Sequence, residues 1–119
     1  MTFAADRAER LEHELLVEMK DDYVGVWEIA RLVRSELGVD DPIGIREITL
    51  QVSEEMLMHG WIRPGVATKS GEFEPWDTNP GTTLATIVED WEKLGRTPTV
   101  GDIAWFDLTE WGERVASTS

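Results

Sequence analysis

Three apolar stripes of helical spacing fill the first half of the chain, and they constrain the fold more than any other feature of the sequence. Ala4, Ala8, Leu11, Leu15 and Met19 recur at three- and four-residue intervals, with Glu9, Arg10 and Glu12 on other sides. They predict a helix over residues 3–20. Val26, Ile29, Ala30, Val33 and Leu37 predict a second helix. Asp21 and Asp22 are its expected caps, because carboxylates accept from the first unpaired N–H groups, and Gly38 suits the left-handed residue that closes it. Asp41 before Pro42 starts a third helix, since proline loses nothing by lacking an N–H in the first turn. It runs to about His59 and stops at Gly60. Ile45, Ile48, Val52 and Met56 share one of its faces, and Leu50 and Leu57 widen the apolar arc. Glu47, Gln51, Glu54, Glu55 and Met58 occupy the outer face.

The second half reads as strands around one more helix. Trp61–Val66 is a short strand that Pro64 marks as an edge strand, and Glu72–Trp76 is a return strand or extended segment. After a loop over Asp77–Gly81, Thr82 or Thr83 caps a fourth helix. This ends near Gly95, with Leu84, Ile87, Val88, Trp91 and Leu94 on one face. Thr97–Gly101 is a turn, Asp102–Leu108 a strand, and Thr109 caps a last short helix, leaving Ala116–Ser119 as a loose end. With 119 residues, the expectation is one α+β domain over residues 1–119.

The order of three helices, a strand leaving Met58-His59-Gly60-Trp61-Ile62, and a later strand running into Phe106-Asp107-Leu108-Thr109-Glu110-Trp111-Gly112 resembles the winged-helix superfamily. In that superfamily the third helix leads through a glycine into the first wing strand, here Gly60-Trp61-Ile62. A leucine-threonine-glutamate plus glycine often ends the last strand, here Leu108, Thr109, Glu110 and Gly112. The resemblance implies a winged-helix-like domain: three N-terminal helices, a small sheet with its wing, and a short C-terminal helix. Residues 67–101 depart from it, because ordinary wings are tight hairpins and this one contains a whole helix.

In DNA-binding members the third helix enters the major groove with basic or amide side chains. Here it presents Glu47, Glu54 and Glu55, with Arg46 only at the margin. The chain carries 24 acidic against 11 basic residues, a net charge of −13, which repels a phosphate backbone unless the cations cluster. A DNA-binding regulator remains the alternative reading, and it needs Arg31, Arg34, Arg46, Arg63, Lys69 and Arg96 gathered on one face. The acidic balance points to a basic or apolar protein surface as partner. It argues against anionic membranes, and no apolar run approaches the roughly 20 residues that span a bilayer.

Catalytic and metal motifs do not emerge. There is no cysteine, which removes thiol chemistry and agrees with a cytoplasmic setting, as does the lack of an apolar signal core near the start. Glu9 and His13, like Glu14 and Glu18, have helical pair spacing that suits one metal, but such pairs arise readily in so acidic a chain and read as solvated surface. His59 reads as a helix-end residue favoured by the dipole, and Asp21, Asp22 and Glu28 as carboxylates without an evident opposed partner. No cofactor is expected. Among six tryptophans, Trp27, Trp91 and Trp105 read as core, and Trp61 and Trp111 as pins between wing and body. Trp76 either covers the inserted helix or meets a partner. The first helix packs on its own domain or pairs with a second copy through Ala4, Ala8, Leu11 and Leu15. The expected function is therefore a non-enzymatic, cytoplasmic protein-interaction module, in one version an inhibitor or immunity-type protein. Its partner surface is Glu47, Gln51, Glu54, Glu55 and Trp76. A small-molecule sensor or enzyme using a pocket between the inserted helix and the body is a third class.

Overall fold

The computed structural model describes the backbone of residues 2–118 and the side chains of residues 7–118, so Ala4 of the expected apolar seam lies outside the described side chains. Helix α1 (Thr2–Glu18) leads to a two-residue strand β1 (Val24–Gly25), then α2 (Val26–Leu37) and α3 (Pro42–Met58). Strand β2 (Ile62–Ala67) and β3 (Phe73–Pro75) precede α4 (Pro80–Leu94), and β4 (Trp105–Leu108) runs into α5 (Glu110–Ser117). The strands form one antiparallel sheet in the order β1-β4-β2-β3, which makes the fold α+β.

Leu11, Leu15, Leu16 and Met19 of α1 enter one buried cluster with Ile29, Ala30 and Val33 of α2 and Val52, Met56 and Leu57 of α3. Ile87 and Trp91 of α4 and Phe106 of β4 belong to the same cluster. The inserted helix α4 is thus part of the core, packed on α3. The α1 stripe faces inward as well: Leu11 and Leu15 are buried in their own chain, and α1 packs on α2, α3 and α5.

Several local expectations are overturned, and each has a tertiary cause. Asp21 and Asp22 do not cap α2. The helix starts later, from Gly25, because Val24 and Gly25 pair with Phe106 and Trp105, and the N–H of Val26 donates to Ala104 O at 2.9 Å. Asp22 instead accepts from the N–H of Tyr23. Strand β2 is internal rather than an edge. Pro64 stands opposite Phe106 of β4, and its carbonyl accepts from the N–H of Trp76, so its missing N–H faces the short β3 side and no β2–β4 bond is lost. Asn79, not Thr82 or Thr83, caps α4, accepting from the N–H of Thr82, while the Thr83 hydroxyl is buried and donates to Asn79 O. Strand β4 begins at Trp105, because Ile103 adopts φ 70° and breaks the extended run. Ala116 is buried within α5 rather than frayed. Trp111 is 53% exposed and pins nothing; its ring lies beside Arg114.

The remaining caps form as expected. Asp41 accepts from the N–H of Gly44 and Thr109 from that of Gly112, while Gly38 closes α2 at φ 68°. The two segments that carry the family resemblance clasp one another. Thr109 donates its hydroxyl to Gly60 O and its N–H to Trp61 O. Gly112 rests its Cα on the Trp61 backbone, where an added Cβ would overlap the Trp61 carbonyl. Gly60 itself turns the chain at φ 75°.

Candidate functional site

Helix α3 positions the acidic residues through its own packing. Ile45, Thr49, Val52, Ser53, Met56 and Leu57 face inward and are buried, and Ser53 Oγ donates to Thr49 O at 2.8 Å, which satisfies it within the helix. The opposite face is thereby turned to solvent, so Glu47, Gln51, Glu54 and Met58 form one exposed row at three- and four-residue spacing. None of Glu47, Glu54 or Glu55 pairs with a cation among the described residues. The ion pairs lie elsewhere, at Arg46–Glu92 (3.2 Å), Arg63–Asp107 (3.0 Å), Lys93–Glu89 (3.0 Å) and Arg96–Asp102 (2.9 Å). Trp76 does not join this row. It follows β3, half-buried against the core, as a cover.

Glu55 leaves the outer row for the flank that faces α1, where the structure adds a group the sequence reading placed in solvent. Glu12 is only 7% exposed. With Glu9 and Glu55 it lines a cleft of about 290 Å³ closed by His13, Leu16, His59, Trp61 and Val115, and a hollow of about 150 Å³ reaching Ile48, Gln51 and Val52. Burial, then the charges of Glu55 and Glu9, push the Glu12 carboxyl up to about 7. No hydrogen bond or ion pair from the described residues reaches it. His59 Nδ1 lies 3.1 Å from Glu55 O, at the helix end as expected, and its ring lies against Trp61 with centroids 4.4 Å apart. These acids and imidazoles surround the cleft without converging: among the described residues no three such groups stand where they could hold one metal ion.

The burial of Glu12 had a signal. At helical spacing it falls at the edge of the stripe that predicted α1, between Ala8, Leu15 and Met19 on one side and Leu16, which that stripe did not include, on the other.

A second groove, about 450 Å³, lies between α2, the start of α3 and the 97–100 turn, with Trp27, Arg31, Arg34, Ile45 and Pro98 among its lining. Arg96, Thr99 and Asp102 brace that turn, and the Thr99 N–H and the Arg96 guanidinium hold the Asp102 carboxyl below its ordinary range. Burial and the nearby Glu18 raise Glu28. No helix among the described residues is long and apolar enough to cross a membrane. No family model, curated protein or solved structure matches the chain, so any reading of function stands on this geometry.

Proposed function

We propose that the chain is a non-enzymatic, cytoplasmic protein-interaction module on a winged-helix-like plan, whose α3 face meets a basic protein surface. The plan is supported by the order of elements. A short β1 separates α1 from α2, α3 feeds β2 through Gly60, and β4 lies between β1 and β2, with β3 and α4 as the enlarged wing. The observation that carries the function is the exposed row of Glu47, Gln51 and Glu54 with Glu55 beside it, a contiguous negative surface that takes part in no ion pair among the described residues. A solvated carboxylate row favours rapid association with a positively charged partner. An inhibitor or immunity-type role, in which this face masks a surface meant for nucleic acid, is one version of the reading.

The DNA reading is not favoured. Of the six cations it requires, Arg46, Arg63 and Arg96 are bound to carboxylates, while Arg31 and Arg34 lie in the groove beside α2. Pairing through α1 is disfavoured as well, since Leu11 and Leu15 are already buried in the core.

Affinity capture with the tagged chain, followed by titration of the purified partner, tests the proposal. The expected result is a basic partner whose affinity falls between about 0.05 and about 0.5 M salt. Glu47→Lys with Glu54→Lys should weaken it by roughly tenfold or more, the scale of losing two favourable rim charges. A partner indifferent to both salt and charge reversal sinks the reading.

A further inference from the structure

The cleft between α1, α3 and the start of β2 holds an arrangement that folding alone does not call for. A carboxylate without a partner is costly to bury, and the usual remedy is an internal cation or a set of hydrogen-bond donors. Glu12 has neither among the described residues: the residue is only 7% exposed, and its carboxylate oxygens are open to the cleft alone. The groups facing it worsen its position. Glu9 comes from its own helix and Glu55 from α3, and both are acids; His13 and His59 supply the titratable imidazoles. Trp61, just before β2, and Val115 of α5 bring no charge.

The shape of the cleft states what would satisfy it. Its acids are spread around about 290 Å³ and no three converge, so a bare metal ion is too small to meet them together. The indole of Trp61 forms one wall, steadied by the His59 ring, and Leu16 and Val115 provide apolar contact for an alkyl stem. A guanidinium matches each part. It is planar and stacks on an aromatic face, it is weakly hydrated and so enters a half-buried site readily, and its five donors reach carboxylates on two helices at once. An ammonium offers a point charge and no plane to stack.

We infer that this cleft is a receptor for one arginine side chain of a partner protein, with Glu12 and Glu55 accepting its guanidinium and Trp61 stacking against it. The inference rests on the reading of the chain as a module for a basic partner, and it locates that partner's anchor on the α1 flank of α3. Binding supplies the missing counter-charge, and the cleft takes up a proton less readily once occupied, because a cation beside Glu12 opposes the burial that raises its carboxyl.

The full chain, labelled with ¹⁵N, is titrated with N-acetyl-L-arginine methylamide. The uncharged N-acetyl-L-citrulline methylamide, agmatine and zinc chloride serve as comparisons. The expected outcome is a Kd on the order of 1 mM for the arginine amide, in keeping with the efficiency of small ligands. Shifts should concentrate at the Trp61 indole and the backbone of Glu12 and Glu55, with none from the citrulline amide. Glu12→Gln should weaken the arginine amide by about tenfold, the scale of one charged hydrogen bond. Glu55→Gln, at an exposed position that leaves folding intact, should weaken it as well, and Glu47→Gln should leave it unchanged. Equal binding of the citrulline amide, shifts centred elsewhere, or full affinity in both the Glu12 and Glu55 variants overturns the inference. Binding of agmatine without the capped arginine overturns the protein-borne source, and displacement by stoichiometric zinc replaces the receptor with a metal site. The two readings fail separately. Arginine-amide binding with no basic partner captured removes only the module, whereas a salt-sensitive partner indifferent to Glu12→Gln removes only the cleft.

Discussion

The carboxyl of Glu12 loses its proton near pH 4.5 in an unfolded chain and near 7 in the native one, so between these values the native state binds more protons. Stability contributed by this group is therefore greatest at or below pH 4.5, declines as the pH rises to about 7, and is level above that. A shift of this size corresponds to about 3 kcal/mol at most. Glu12→Gln removes the dependence. The expected difference between variant and wild type in urea denaturation is near zero at pH 4.5 and grows to roughly 2 kcal/mol in favour of the variant at about pH 8. A gap that stays constant with pH would show that folding does not raise the Glu12 carboxyl. At the clasp between the two motif segments, Gly112→Ala forces a Cβ into the Trp61 carbonyl, and backbone on both sides has no freedom to yield. A loss of roughly 3 kcal/mol or more is expected there, against about 1 kcal/mol for Thr109→Ala, which removes a cap, both read from denaturation midpoints.

Among the elements, α3 divides its labour by face, and the two faces respond differently to substitution. Glu47→Lys and Glu54→Lys touch no ion pair, so thermal denaturation should place each within about 0.5 kcal/mol of wild type while partner binding suffers. The inserted helix behaves otherwise. Trp91 is 5% exposed in the common core, and Trp91→Ala should cost roughly 3–5 kcal/mol in chemical denaturation, where a decorative insertion would cost little. The existence of α4 was legible from Leu84, Ile87 and Trp91, because an apolar stripe must be covered by something. Its cap was not, since Asn79 and Thr82 are both capping residue types, and only the fold shows Asn79 in that position, accepting from the Thr82 N–H. Strand β1 was invisible. Two residues carry no periodicity, and only the pairing of Val24 and Gly25 with β4 makes them a strand.

For the whole molecule, a net charge of −13 repels itself and repels anions, and salt screens both effects. The fold and the proposed complex should therefore respond to salt with opposite signs. Between about 0.05 and about 0.5 M sodium chloride the Tm of the free chain should rise while affinity for a basic partner falls. A Tm that drops over that range would mean the four ion pairs outweigh the repulsion, which exposed pairs seldom do. What the sequence determined by itself is what depends on neighbours within a turn or two: the five helices, the caps at Asp41 and Thr109, and the acidic outer row of α3. Only the tertiary structure decided that Pro64 lies in an internal strand, that Trp111 points outward, and that Glu12 closes over a cleft with Glu55 and Trp61. Helical periodicity shows that a face must be covered; which element covers it, and how completely, depends on contacts between residues more than forty positions apart, as Glu12 and Glu55 are.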